Sequence, residues 1–246
     1  MVKSVIDQLL SLIRDNYIHI ELIRMGGNGD GGYLIPNLMN EIDHCFSPGV
    51  SDIADFEKEL IEKYDINCFL ADASVNSPPF LNKKIEFVKK FIKFPADENS
   101  ITFENWVHSS SAKNSKSLLL QMDIEGFEYS IIYNEKESLL NQFKIMVIEF
   151  HFLDKMSDPK FANYVFMIFK KILKHFRIVH LHPNNCCGIA KIDGLDVPRV
   201  LEATFVRTDV AQKITILKPE KSFPHELDYK NVGSNPDITL PQCWYK

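Results

Sequence analysis

The 246-residue chain predicts an α/β fold: a mostly parallel sheet with an antiparallel C-terminal finish and helices on both faces. Three observations carry that expectation. Apolar runs of strand length alternate with segments of helical period from Ile42 to about residue 182, as repeated right-handed crossovers require. Two of the runs, "SLLLQMD" and "FKIMVIEFH", are apolar nearly throughout, which suits strands buried on both faces. Beyond them, the stretch containing "LEATFVR" and "KITILKP" has no long helical pattern, which suits the antiparallel finish.

The elements follow in order. "MVKSVIDQLLSLIRDNY" carries Lys3, Asp7, Arg14 and Asp15 between apolar residues spaced like one helix face, so it reads as an amphipathic opening helix and not as a signal peptide. "IELIRMGGNGDGGYLIP" sets five glycines between two short β-like pieces. "IDHCFSPGVSD" is a strand ending in a turn at Pro48-Gly49, and "DIADFEKELIEKY" a helix with Ile53, Phe56, Leu60 and Ile61 inward. "INCFLAD" is a strand closing on Asp72, "KIEFVKKFIKF" a half-exposed strand or strand pair, and "ITFENWV" a short helical turn. Next come the strand "SLLLQMD", the helix "FEYSIIY", the strand "FKIMVIEFH", a long helix from Pro159 to His175 and the strand "FRIVHLH". "LEATFVR" and "KITILKP" are expected as closing strands. The tail after Lys218 holds four of the twelve prolines and is expected to be an irregular strap. The organisation predicted is one structural domain, with residues 1–40 as an N-terminal cap, 41–218 as the sheet domain and 219–246 as the strap.

Composition narrows the function. A net charge of −5 and a pI near 5.9 argue against a nucleic-acid or anionic-membrane binder, which needs a basic excess. No run of about 18 apolar residues is present, so no membrane span is expected. The five cysteines include no CxxC pair, and Cys186 adjoins Cys187; this suits reduced thiols in a cytoplasmic protein. The basic strand "KIEFVKKFIKF" could form an edge that pairs two subunits into a homodimer.

Two stretches carry chemistry. In "FSPGVSDIADFE" a strand, a glycine turn and a helix start follow one another, exposing backbone N–H groups across which a nucleoside can lie. Asp72 ends the next strand 23 residues after Gly49, where an acid can accept from both ribose hydroxyls. No GxGxxG is present, so a nucleoside without phosphates fits better than a dinucleotide. The other stretch is "LLLQMDIEGFEYSII", an apolar strand running into Asp123, Glu125 and Glu128. A carboxylate directly after a buried strand is costly unless paired, so Asp123 stands out. Glu125 and Glu128 lie in the first helical turn, where the macrodipole favours acids.

"LLLQMDIEGFEYSII" resembles the signature of the FkbM family of S-adenosylmethionine-dependent methyltransferases, a strand running into an Asp-(Ile/Val)-Glu-Gly segment. "DGGYLI", "FSPGVSDIADFE", "FLADASV", "ITFENWV", "IMVIEFH" and "HLHPNN" look like further pieces of one branch, covering most of Asp30 to Asn185 in order. Pro48 before Gly49, and Ala73-Ser74 where the branch tends to have Pro-Thr, depart from its pattern. The resemblance implies a Rossmann-like class I methyltransferase sheet with S-adenosylmethionine held by Asp30, Gly31, Tyr33, Ser47, Gly49, Asp52, Asp72 and Asp123. It further implies O-methylation of a sugar, including nucleotide-linked precursors of capsule or other surface polysaccharide.

Methyl transfer from a sulfonium is an in-line displacement that mainly needs alignment. An alcohol acceptor must also lose a proton, to a base worth about 10²- to 10⁴-fold or with the help of a metal ion. Asp123, Glu149, His151 and His182 end successive strands and are the catalytic candidates. Alternation along "VIEFH" turns Glu149 and His151 to one side and Phe150 to the other. Glu125, Asn184 and Asn185 are the acceptor-binding candidates. Asp, Glu and two His would also make an oxygen-nitrogen set for Mn²⁺ or Mg²⁺, although no tight ligand spacing is present. Two other classes fit the same residues: a non-catalytic binding module of methyltransferase type, and a metal-dependent hydrolase using the Asp, Glu and His cluster.

Overall fold

Each strand of the central sheet is an apolar run cut off by a charge or a turn residue, and the pairing order decides where those cut ends meet. In a computed structural model, which describes residues 2–217 and 223–246, helix α1 (Val2–Asp15) turns Ile6, Leu9, Leu10 and Ile13 inward. An antiparallel hairpin follows, β1 (Leu22–Met25) and β2 (Tyr33–Pro36), joined by the glycine loop. Then come β3 (His44–Pro48), α2 (Asp55–Tyr64), β4 (Asn67–Ala71), β5 (Ile85–Val88), the small strands β6 (Phe91–Ile92) and β7 (Ser100–Ile101), and α3 (Phe103–Ser109). The second half runs through β8 (Leu118–Met122), α4 (Glu128–Asn134), α5 (Glu137–Leu140), β9 (Phe143–Phe150), α6 (Pro159–Leu173) and β10 (Phe176–Pro183). It closes with the hairpin β11 (Ile189–Ile192) and β12 (Leu195–Pro198), β13 (Leu201–Arg207) and the short α7 (Thr208–Ala211).

Seven strands form one sheet in the order β10-β13-β9-β8-β3-β4-β5. Neighbours from β9 to β5 are parallel, and β13 runs antiparallel between β9 and β10. This is the Rossmann-like sheet with the antiparallel finish that the sequence predicts. The chain proceeds outward from β3 through β4 to β5, then crosses back to β8 on the other side of β3. That reversal makes a crevice over the carboxyl ends of β3 and β8, the place where open α/β sheets bind ligands.

The core lies against both faces. All five residues of β8 are buried, and Phe46 of β3 stacks on Phe69 of β4 with ring centroids 4.7 Å apart and meets Trp106 edge-on at 5.1 Å. Burying one such ring stabilises by about 1.5–3 kcal/mol, so the strands whose ends carry the charges are firmly seated. No helix among the described residues is long and apolar enough to cross a membrane.

Several expectations are corrected. Residues 213–217 of "KITILKP" form no strand, and Lys218 and Pro219 lie outside the described residues. The outer edge of β10 is already occupied, because Ile18 N donates to Ile178 O and Ile178 N donates to Asn16 O, both at 2.9 Å. Ile53 is 45% exposed, since α2 begins only at Asp55. "KIEFVKKFIKF", expected as one strand or two, is two: it divides at Lys89-Lys90 into β5, the edge of the main sheet, and β6, which pairs with β7. The β11–β12 hairpin was not expected, although its Asp193-Gly194 turn, with φ of +48° and +85°, is a recognisable hairpin signal. Cys186 and Cys187 pair as a vicinal disulfide, while Cys45, Cys68 and Cys243 are free, so the expectation of five reduced thiols fails for the adjacent pair.

The C-terminal segment from Phe223 is irregular apart from one 3₁₀ turn at Gln242–Trp244. It is nevertheless anchored: Trp244 is fully buried, and its Nε1 donates to Asp196 O at 3.0 Å.

Candidate functional site

A cavity of about 620 Å³ opens over the carboxyl ends of β3, β4 and β8, within the range of small-molecule sites. Its base is the turn after β3. Gly49 has φ +86°, and a Cβ there would lie 1.6 Å from the carbonyl oxygen of Asp123, so only glycine lets the two strand ends close together. Gly49 N donates to Ala71 O at 2.9 Å and Asp123 N to Pro48 O at 3.3 Å, tying three strand tips into one frame.

Asp72 is 5% exposed and held from two sides. Its Oδ2 accepts from Ser51 N at 2.8 Å, and its Oδ1 accepts from Ser74 N and Ser74 Oγ, both at 2.7 Å. A carboxylate offers about four lone-pair sites, so these three bonds aim the group and leave acceptor capacity toward the cavity it borders. Tyr33 enters from β2, where its hydroxyl accepts from Gln121 Nε2 at 3.2 Å. Burial, with the charges of Glu149 and Asp123, raises its pKa well above the usual value, so it remains a phenol.

The cavity wall is acidic. Asp30, Glu57, Asp72, Asp123 and Glu125 line it against one lysine, Lys93, whose Nζ is already paired with Asp97 at 2.6 Å. Such a wall favours a cationic ligand and disfavours a pyrophosphate. Burial pushes the Glu57 carboxyl up to about 7, against a hydrogen bond from Ser47.

Beyond the cavity, strand register sets four ionisable groups in a row. Met122 pairs with Ile148, which brings the following Asp123 beside Glu149. Glu202 of β13 is registered opposite both Glu149 of β9 and His182 of β10. Residues directly opposite share a face, so the row reads Asp123, Glu149, Glu202, His182. Burial, opposed by the nearby His151, moves Asp123 to about 6. Burial, with the charges of Asp123 and Glu202, raises Glu149 far above the usual carboxylate range. Glu149 is 3% exposed, and its Oε1 accepts from Asn184 Nδ2 at 2.8 Å.

His151 follows β9 and sits in a cage of acids. Its Nε2 is 3.6 Å from Asp123 Oδ1, 3.5 Å from Glu125 Oε2 and 4.0 Å from Glu149 Oε1. Its Nδ1 lies 3.5 Å from Glu128 Oε1. Burial lowers the imidazole pKa, but the hydrogen bond and charge of Glu128, with Asp123 and Glu125, outweigh it and leave the pKa raised. Glu128 is itself fully buried, accepting from His151 N and Gly126 N, both at 2.8 Å. One ring nitrogen therefore faces the cavity carboxylates and the other the supporting acid.

His182 is differently placed. It does not line the cavity, its ring stacks near that of His180 with centroids 6.4 Å apart, and its Nδ1 lies 3.5 Å from Asp228 Oδ2. Burial lowers its pKa, yet Asp228 and Glu202 more than offset this and raise it to about 9. At neutral pH it is a cation, which is a counter-charge for the acid row and not a base.

The other candidates divide clearly. Asp30, Gly31, Tyr33, Gly49, Asp72, Asp123 and Glu125 border the cavity. Ser47 is buried behind it against Cys45 and Glu57, and Asp52 is exposed outside its lining. Asn184 joins Glu149, whereas Asn185 holds the C-terminal segment, donating to the carbonyls of Val232 and Pro236 at 2.9 and 3.2 Å and accepting from Val232 N at 2.8 Å. Glu57, Gln121, Glu202 and Asp228 escaped sequence reasoning, and Glu128 was read as a helix-end acid alone. Glu202 had a usable signal, because a carboxylate inside an apolar strand raises the same question as Asp123.

Residues 36–177 match the family model described as the methyltransferase FkbM domain. No curated protein matches the chain. Among solved structures, a Streptococcus pneumoniae protein described as a candidate tRNA (m1A22) methyltransferase, in complex with S-adenosyl-L-methionine, is similar at 12% identity and a TM-score of 0.35, covering 75% of this chain and 72% of that one.

Proposed function

The chain belongs to the FkbM methyltransferase family, and from that premise we propose that this S-adenosylmethionine-dependent methyltransferase acts on a sugar hydroxyl with His151 as the base. The observation that carries the reading is the position of the His151 imidazole. Its Nε2 stands within 3.6 Å of Asp123, a carboxylate that borders the same cavity as the Gly49 turn and Asp72.

Gly49, Asp72 and the loop at residues 30–33 would hold S-adenosylmethionine, with Asp72 accepting from its ribose hydroxyls and the acidic wall offsetting its positive charge. Bound there, it would supply an electrophilic methyl group: the acceptor oxygen would bond to the methyl carbon as the carbon–sulfur bond breaks and the sulfonium leaves as a neutral thioether. The acceptor proton passes to Nε2 of His151, which Glu128 orients from the other side. Glu125, whose side chain is 81% exposed, stands at the rim where a sugar would approach, with Asn184 supporting Glu149 behind. The acid excess favours a neutral hydroxylated moiety at the reacting end, with any diphosphate of a nucleotide-linked sugar kept outside. A role in surface polysaccharide assembly, from the cytoplasm, follows from that acceptor class. Asp123, Glu125 and His151 would also hold Mn²⁺ or Mg²⁺, which would acidify the acceptor hydroxyl directly.

Titration with S-adenosylmethionine and S-adenosylhomocysteine, followed by methyl transfer to a panel of sugars and nucleotide sugars, tests this. His151→Ala should lower turnover by about 10²- to 10⁴-fold and leave donor affinity within about threefold. Wild-type turnover in that variant would remove His151 from the chemistry. Loss of activity in chelator, restored by Mn²⁺, would make the metal route the operative one.

A further inference from the structure

A second cluster of ionisable groups lies away from the cavity. His180 and His182 stand two apart on β10 and so project from one face. The pairing of β10 with β13 slips between Ile178 and His180, leaving Val179 as an extra residue, and such bulges re-aim the side chains beside them. Both rings come to face Asp228, which belongs to the irregular C-terminal segment. His180 Nε2 is 2.8 Å from Asp228 Oδ1, and His182 Nδ1 is 3.5 Å from Asp228 Oδ2.

His182 is 5% exposed, yet neither of its ring nitrogens has a hydrogen-bond partner. A buried imidazole whose ring nitrogens are unbonded and which faces a carboxylate and a second imidazole is a donor set suited to a cation. One donor atom from each residue lies within 4.8 Å of the other two. Donors about 2 Å from a shared ion stand roughly 3–4 Å apart, which small side-chain adjustments here would reach. Glu202, registered opposite His182, adds negative charge that favours a cation.

We propose that His180, His182 and Asp228 form a site for a divalent transition-metal ion of the zinc class, which fastens the C-terminal segment to the sheet. Two imidazoles and one carboxylate select borderline ions over Mg²⁺ or Ca²⁺, which prefer oxygen. Coordination takes the His182 lone pair, so the ion replaces a proton there. The fastened segment carries Asn231, whose side-chain amide donates to Glu202 and, at 3.3 Å, to Asp30 of the cavity wall. Occupancy of the site thereby holds one wall of the cavity in place without contacting the reacting atoms.

The full chain, stripped with chelator and desalted, is titrated calorimetrically with Zn²⁺ and by visible absorption with Co²⁺. One ion per chain, with visible Co²⁺ bands and no thiolate charge-transfer band, is expected. Asp228→Asn and His180→Gln should each weaken binding at least about tenfold, while Glu125→Gln leaves it unchanged. Because Asp228 also accepts from His225 N at 2.8 Å, its loss can unfold the segment, and His180→Gln then decides. The proposal is overturned by no stoichiometric binding or by wild-type affinity in a folded His180→Gln variant. Thiolate bands, which would place the ion at the cysteines, or loss in Glu125→Gln, which would place it beside His151, overturn it equally.

Discussion

Replacing Glu128 by Gln tests how the proposed base, His151, is supported. The side chain is fully buried and each carboxylate oxygen accepts one backbone N–H at 2.8 Å, from Gly126 and His151. An amide retains one acceptor oxygen and sets an NH₂ against the other N–H. One charge-assisted bond, worth about 1.5–3 kcal/mol, is lost and a buried donor is left unsatisfied. A total near 2–4 kcal/mol follows, which for a chain of this size corresponds to a fall in Tm of about 5–15 °C. The same change removes the charge 3.5 Å from His151 Nδ1 that raises the imidazole pKa. The variant's limb of rising turnover with pH should move to lower pH, because its base frees itself of the proton sooner. Differential scanning and a pH profile of kcat measure the two effects. An unchanged Tm would show that the buried carboxylate does not close the turn, and an unmoved limb would show that it does not act on His151.

Three further outcomes are expected. Gly49→Ala places a Cβ 1.6 Å from Asp123 O at a φ of +86° and should cost at least about 3 kcal/mol, read by urea unfolding; a cost under about 1 kcal/mol refutes the close-packed turn. Asp72→Ala should weaken S-adenosylmethionine binding by about tenfold or more through loss of the ribose contact and of the anchor for Ser51 and Ser74, and calorimetry showing wild-type affinity would move the ribose elsewhere. His182, raised from 6.5 to about 9, contributes stability that is full below pH 6.5 and lost as pH rises through 9. With chelator present, unfolding free energy should decline by about 3 kcal/mol across that window, and a flat profile would exclude the buried His182–Asp228 pair.

The candidate site was legible where the strand-end rule applies. Asp72, Asp123 and Glu149 each terminate or nearly terminate an apolar run, and a charge in that place announces both a strand boundary and an exposed tip. His151 was legible through alternation, since Glu149 fixes the side to which residue 151 returns. What was hidden depends on register between strands far apart in the chain. Glu202 meets Glu149 and His182 only because β13 inserts between β9 and β10, and no local pattern encodes that insertion. Asp228 sits in a stretch without period, and its partners His180 and His182 lie 48 and 46 positions earlier. Glu128 was visible but read as a helix-end acid, because its use of both oxygens on backbone N–H groups is a property of the turn geometry and not of spacing.

The reversed strand also governs assembly. β13 bonds along both of its sides, to β9 and to β10, so a nascent chain that has not yet produced Leu201 carries a slot one strand wide with two unsatisfied borders. Such borders pair with whatever extended segment arrives first. Synthesis therefore leaves a vulnerable interval after β10 emerges and before β13 does, in which another copy's strand can enter the slot. Chains halted within residues 184–200 should aggregate or recruit chaperones, whereas chains released after Arg207 have the means to close the sheet themselves.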